Sequence, residues 1–286
     1  MTASARGGSG AGSDRVALRV ARLAGRLTER DRQLCRLLSE HQVLTSHQLT
    51  RLAFQHLDTA EDRLRTLTTL GVLDRFRPRR DTGSAPYHYV LGPLGAAVLA
   101  AEQGITVADL GYRRATTLAV AHSRRLPEIL AVNGFFTALA GYARHHPDTE
   151  LALWWPQQRC QATWGRLIQP HGFGHWREYD TVLGFFLECH SHQQPISHLI
   201  AALAGYDDLA DATPQRATNL LVWITTTQRE SELHRAVPPR PYLVATATPR
   251  DDTNPADAVW LPLGTTGPRR RLADLAHPHR RAPERP

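Results

Sequence analysis

Apolar positions recur every three or four residues through the first hundred positions, in short blocks broken by polar residues. Val16, Val20, Leu23 and Leu27 have helical spacing. Thr28, with Asp31 three positions on, reads as a capped helix start, and Leu34, Leu37 and Leu38 carry that helix to about His41. Thr45 and Gln48 repeat the signal ahead of Leu49 and Leu52. A third start is expected at Asp58-Thr59, with Glu61 and Asp62 suiting the dipole of the first turn. Ala60, Leu64, Leu67 and Leu70 then share one face, and Gly71 is placed to end the helix. Val72 to Phe76 reads as a strand, RPRRDTGSAP as a turn, and Tyr87 to Leu91 as the returning strand. A further helix is expected from Leu94 to Gln103. Three helices followed by a hairpin is the order of a winged helix-turn-helix.

Gly111 to His146 reads as helical, with Pro127 suited to a first turn. Ile129, Leu130, Val132, Phe135, Phe136, Leu139 and Tyr142 form a broad apolar face, to be packed on a domain or on a second copy. From Glu150 the pattern turns strand-like: LALWWP, the surroundings of Arg166 to Gln169, and Thr181 to Cys189. Pro195 to Ala210 and Gln228 to Ala236 read as helices, and NLLVWITTT, YLVATATP and AVWLPL as strands. Gly172-Phe173-Gly174 is not followed by a third glycine, so it is expected to be a turn and not a dinucleotide loop. The fold class is therefore α+β. The expected division is a tail over 1–14, the winged helix over 15–110, a helical connector or dimerisation helix over 111–148, a mixed α/β domain over 149–266 and a basic tail over 267–286.

Composition narrows the function. Of 286 residues, 42% are apolar, a globular proportion. There is no apolar run of membrane-spanning length and no secretory signal pattern, so the expected location is the cytoplasm. Cys35, Cys160 and Cys189 fit no metal spacing and are expected as packed free thiols. The net charge is +7, which suits a polyanionic partner. All 34 basic residues are arginine. The absence of lysine excludes a phosphate-loop NTPase, a Schiff-base enzyme and any nuclease step using a lysine of this chain. No Gly-x-Ser-x-Gly elbow is present.

In a winged helix the third helix enters the major groove and the wing lies along the backbone or minor groove. Opposite the stripe of Ala60, Leu64 and Leu67 lie Asp62, Arg65, Thr66 and Thr69. Arginine grips guanine with two hydrogen bonds, and threonine contacts bases or phosphates. Arg63, at the flank, is expected to reach phosphate. Arg75, Arg77, Arg79 and Arg80 make the wing electropositive. Glu61 and Asp62 count against the reading, because acids repel phosphate. A run of arginines is also a common solvated face, and some winged helices bind proteins.

TERDRQLCRLLSEHQVLTSHQLTRLAF, RLRTLTTLGVLDRF and YHYVLGPLGAAVL, followed by LPEILAVNGFFTALA, GFFLE, LAGYDDLA and VWLPL, resemble the replication-relaxation family of actinobacterial and plasmid proteins. The resemblance covers roughly residues 25–265. It implies a role in plasmid replication and DNA relaxation, and a carboxy-terminal half similar to a restriction-endonuclease core. The family pattern has Pro-Asp-Gly, then Phe-Leu-Glu-x-Asp, then a helix bearing lysine. This chain has Pro170-His171-Gly172, then Phe186-Leu187-Glu188-Cys189-His190, then Ile200 to Tyr206 without lysine. Glu188 alone remains of the acidic set. Mg²⁺ prefers oxygen ligands, so the altered set suits it poorly. His171, Glu188 and His190 would instead suit zinc or manganese.

The expected function is a non-catalytic DNA-binding protein of a plasmid or mobile element, with double-stranded DNA as partner and no cofactor. One alternative is a metal-dependent nicking enzyme using Glu188, His171 and His190. The other is an interaction adaptor that forms a homodimer or docks a replication or conjugation protein through the helix at 127–145. No membrane partner is expected.

Overall fold

The computed structural model describes residues 25–79, 83–191, 194–213, 218–250 and 253–276. Arg80, most of the Val16–Leu27 segment and the end of the chain from 277 lie outside them. The fold is mixed α+β with two sheets, and the chain divides into two units, Met1–Leu126 and Pro127–Pro286.

In the first unit, α1 (Glu29–His41) begins with a capping box. The Asp31 amide donates to Thr28 Oγ1, while Asp31 accepts from the Thr28 amide at 2.7 Å. Helix α2 (Ser46–Ala53) repeats the device with Thr45 and Gln48. Helix α3 (Leu57–Thr69) starts one residue earlier than its polar residues suggest. His56 is its cap without a side-chain bond, and the His56 carbonyl accepts the first amide, from Ala60 at 3.2 Å. Gly71, at φ +75°, turns the chain out of that helix. Strand β1 (Leu44–Thr45) carried no recognisable alternation. It pairs with β3 (His88–Leu91), which also pairs with β2 (Leu73–Phe76), giving an antiparallel order β1-β3-β2. Helix α4 (Pro93–Gln103) follows, starting with Pro93. Leu34, Leu38, Leu44, Leu49, Leu64, Leu67 and Tyr89 are almost wholly buried here.

The expected connector does not form one piece. Helix α5 (Arg114–Ala119) stays with the first unit, since Arg114 holds Asp74 with two bonds of 2.8 and 3.0 Å and the Tyr112 hydroxyl donates to the Leu91 carbonyl. Helix α6 (Leu126–Ala143) instead supplies Val132, Phe135, Phe136 and Leu139 to the core of the second unit. That part of its apolar face is packed within the second unit, while Ile129 and Leu130 are partly exposed.

The second unit is a six-stranded sheet, ordered β4 (Thr149–Pro156), β5 (Gly172–Glu178), β6 (Thr181–His190), β7 (Leu220–Ile224), β8 (Val244–Ala247) and β9 (Leu261–Pro262). The central β6-β7-β8 pairs are parallel and the others antiparallel. Leu183, Phe185, Leu187 and Cys189 of β6 join the α6 core. Phe186 meets the core formed with α8 (Ile196–Ala212) and Leu233 of α9 (Thr227–Ala236). The period-2 alternation of a strand produces the two faces.

Two expectations are corrected here. Arg166 to Gln169 is no strand: it follows an unexpected helix α7 (Gln157–Trp164), and the Leu167 and Ile168 amides both turn back to the Trp164 carbonyl. Gly172-Phe173-Gly174 is no turn: it opens β5, with both glycines against Phe136, where a Cβ would lie 2.7 Å from the ring. The expected tail is folded as far as Ala276. Arg270 bridges Trp260, and Leu272 and Leu275 are buried.

Candidate nucleic-acid interface and carboxylate pocket

The outward face of α3 carries Asp62, Arg65, Thr66 and Thr69, all exposed. Each threonine hydroxyl donates one turn back, Thr66 to the Asp62 carbonyl and Thr69 to the Arg65 carbonyl, which fixes its rotamer. Arg65 lies 3.0 Å from Asp62, a pair so exposed that a phosphate competes readily for the arginine. Arg63, expected at a phosphate, has a partner within the protein. Its guanidinium forks onto Asp31, Nε to Oδ1 at 2.9 Å and Nη2 to Oδ2 at 2.5 Å. Asp31 is fully buried. Burial would raise the Asp31 pKa, but the bonds from Arg63 and Thr28 outweigh that and lower it. Arg63 therefore joins α3 to α1 and remains partly exposed.

Arg75 and Arg77 share one face of the hairpin, and both guanidinium carbons lie over the ring of Tyr87, at 4.1 and 4.0 Å. Arg79 is exposed. Sequence reasoning missed Tyr87, although its place opposite Arg77 in the extended hairpin register signals the contact.

In the second unit, Glu188 ends up buried on β6. Its Oε1 accepts from the Tyr206 hydroxyl of α8 at 2.7 Å, and its Oε2 lies 2.6 Å from Nδ1 of His171. The Cys189 amide is 3.2 Å from the same nitrogen. The shorter contact governs, because a protonated Nδ1 donates to the carboxylate. Nε2 of His171 lies 3.6 Å from Glu128 of α6. Burial would lower the His171 pKa, but Glu128 and Glu188 raise it to about 10, so the ring is an imidazolium at neutral pH. His190 goes the other way. Burial and the Arg229 charge lower its pKa, and its Nε2 accepts from Arg229 at 2.9 Å. Arg229 also donates to the carbonyls of Ser191 and Gln194.

His171, Glu188, His190 and Tyr206 line one cavity of about 320 Å³. The expected trio is brought together, but not as a ligand set: His171 holds a proton between two carboxylates and His190 faces a guanidinium. Among the described residues, no group of three or more His, Cys, Asp or Glu is placed to hold a metal ion. Tyr206 and Arg229 were missed as partners. Nothing in the sequence relates Arg229, on α9, to the end of β6. Cys35, Cys160 and Cys189 are buried and free, and burial raises all three thiols, Cys35 and Cys160 to about 12.

These features define a two-unit α+β protein with an arginine-bearing hairpin in one unit and a pocket holding a histidine–carboxylate pair in the other. The chain belongs to the replication-relaxation family, whose profile matches residues 35–222. No curated protein and no solved structure matches the chain. Among the described residues, no helix is long and apolar enough to cross a membrane.

Proposed function

We propose that the protein binds duplex DNA without catalysis, in the replication or maintenance of a plasmid or mobile element. In this reading the first unit is a winged helix-turn-helix, α3 its recognition helix and the β2-β3 hairpin its wing. The observation that carries the reading is the combination, within one unit, of an α3 face bearing Arg65, Thr66 and Thr69 with a hairpin bearing Arg75, Arg77 and Arg79. Membership of a replication family supports it. Fluorescence anisotropy with a labelled duplex across a salt series tests it. The wild type binds, with affinity falling as salt rises, and Arg77→Ala/Arg79→Ala lowers the slope by about two. Arg65→Ala reduces the preference among sequences more than the slope. Failure of the wild type to bind any duplex at low salt overturns the reading and directs attention to a protein partner.

The second unit serves, in the same reading, as a nuclease-like scaffold. Support comes from the Glu188 carboxylate, which is occupied by Tyr206 and by a histidinium, and from His190, which is occupied by Arg229. Incubation of the protein with supercoiled plasmid and Mg²⁺, Mn²⁺ or Zn²⁺ is expected to leave the plasmid intact. Metal-dependent nicking that disappears in Glu188→Gln overturns this part.

A further inference from the structure

The ring of Tyr87 has an arrangement that packing alone does not require. It is half-buried, and it faces two guanidinium groups at 4.0 and 4.1 Å. Two like charges drawn to one small ring repel each other. The π face offsets this, since a ring quadrupole attracts cations at about this range. The Tyr87 backbone is held on both sides. The Tyr87 carbonyl accepts the amide of Ser46, the first residue of α2, at 2.9 Å. Pro86, before it, restricts the approaching backbone. Arg75 also lies opposite the buried Tyr89 across the hairpin.

We infer that Tyr87 is a positioning residue, which stacks Arg75 and Arg77 so that they meet adjacent phosphates of duplex DNA already ordered. This rests on the reading of the first unit as a DNA-binding module. Free arginine side chains are among the costliest to order, and part of that cost falls on binding. A ring that holds two of them in the unbound protein removes part of the cost in advance. The charge stays the same with or without the ring, so the ring acts on affinity and leaves the number of phosphates engaged unchanged.

The test compares wild type, Tyr87→Phe, Tyr87→Leu and Arg75→Ala/Arg77→Ala by anisotropy with a mixed-sequence 20-base-pair duplex. Each is measured across a salt series. Tyr87→Phe keeps the π face and is expected to bind as the wild type does. Tyr87→Leu removes the π face and is expected to bind roughly tenfold more weakly, the ordering cost of two side chains, with the salt slope retained. The double arginine variant is expected to lose about two from the slope. Equal affinity of Tyr87→Leu and wild type overturns the inference and leaves DNA binding standing, as does loss of affinity in Tyr87→Phe to the level of Tyr87→Leu. A wild type that binds no duplex overturns the DNA reading itself. Should Tyr87→Leu not fold, the unbound wild type decides. The Nε–Hε resonances of Arg75 and Arg77 are expected upfield of the exposed Arg79, shifted by the ring current, and unshifted resonances overturn the inference.

Discussion

A histidine held between two carboxylates has a protonation state that the whole second unit depends on. His171 loses hydration on burial but gains contacts with Glu188 at 2.6 Å and Glu128 at 3.6 Å, and the gain wins, raising its pKa from 6.5 to about 10. Between those values the folded chain holds a proton that the unfolded chain has released. The stabilisation is thus complete below about pH 6.5 and is lost as pH rises towards 10. One proton corresponds to a slope of at most about 1.4 kcal/mol per pH unit. All six tryptophans lie in the second unit, so their fluorescence follows its unfolding alone. Urea titrations from pH 6 to 10 are expected to show the wild type losing stability more steeply than His171→Gln. Parallel profiles would show that the ring is neutral in the fold. In the first unit, Arg63 is the counterpart. Arg63→Ala leaves the buried Asp31 carboxylate without its forked partner, at a cost of roughly 2–4 kcal/mol. Amide exchange in α1 and α3 reads the loss, and the salt slope of DNA binding is expected not to change, because Arg63 already has a protein partner.

The elements of the first unit follow from local rules. The capping boxes at Thr28 and Thr45, and the left-handed Gly71, each announce a helix end in the sequence itself. The same rules found most of the second unit, but missed two elements for a definable reason. Strand β5 reads GFGHWRE, poor in β-branched residues and opened by two glycines, so it resembles a turn. The reason for those glycines is tertiary: Phe136 of α6 lies flat over them, stacked with Trp154 and Phe185. Local pattern carries no record of a ring arriving from 36 residues away. Helix α7 was hidden similarly, since Trp155, Trp164 and Phe173 form a cluster whose partners come from three elements. The candidate pocket was legible as a trio of positions, from the resemblance, and illegible as chemistry, because Tyr206 and Arg229 complete it from α8 and α9. The close approach at β5 makes a prediction. Gly174→Ala places a Cβ 2.7 Å from the Phe136 ring and 2.8 Å from Phe185, an overpacking that costs about 1–3 kcal/mol. Phe136→Leu, destabilising alone through the cavity it leaves, is expected to recover part of that loss when combined with Gly174→Ala. Strict additivity of the two losses by tryptophan fluorescence would show that the sheet moves instead.

At the scale of the molecule, the chain carries 34 basic residues and every one is arginine. Several are committed to the fold. Arg63 holds Asp31, Arg114 holds Asp74, and Arg269 holds the buried Glu230. Others, including Arg77 and Arg79, are exposed. Each ion pair removes one charge of either sign, so the net charge of +7 is carried by the arginines left over and suits a polyanion. Arginine differs from lysine here in keeping its charge, in bonding phosphate through two nitrogens, and in stacking on rings such as Tyr87. The consequence is a chemical asymmetry that tests the proposed DNA binding. Amine-directed acylation finds no side chain to modify and is expected to leave duplex affinity unchanged. Phenylglyoxal, which attacks guanidinium groups, is expected to abolish binding at modest extents of modification, and prior addition of duplex is expected to slow that loss. Peptide mapping of the protected sites completes the test. Protection concentrated on Arg65, Arg75, Arg77 and Arg79 places the duplex on the first unit, whereas protection confined to arginines beyond Leu126 would move the interface to the other unit and remove the hairpin from the account.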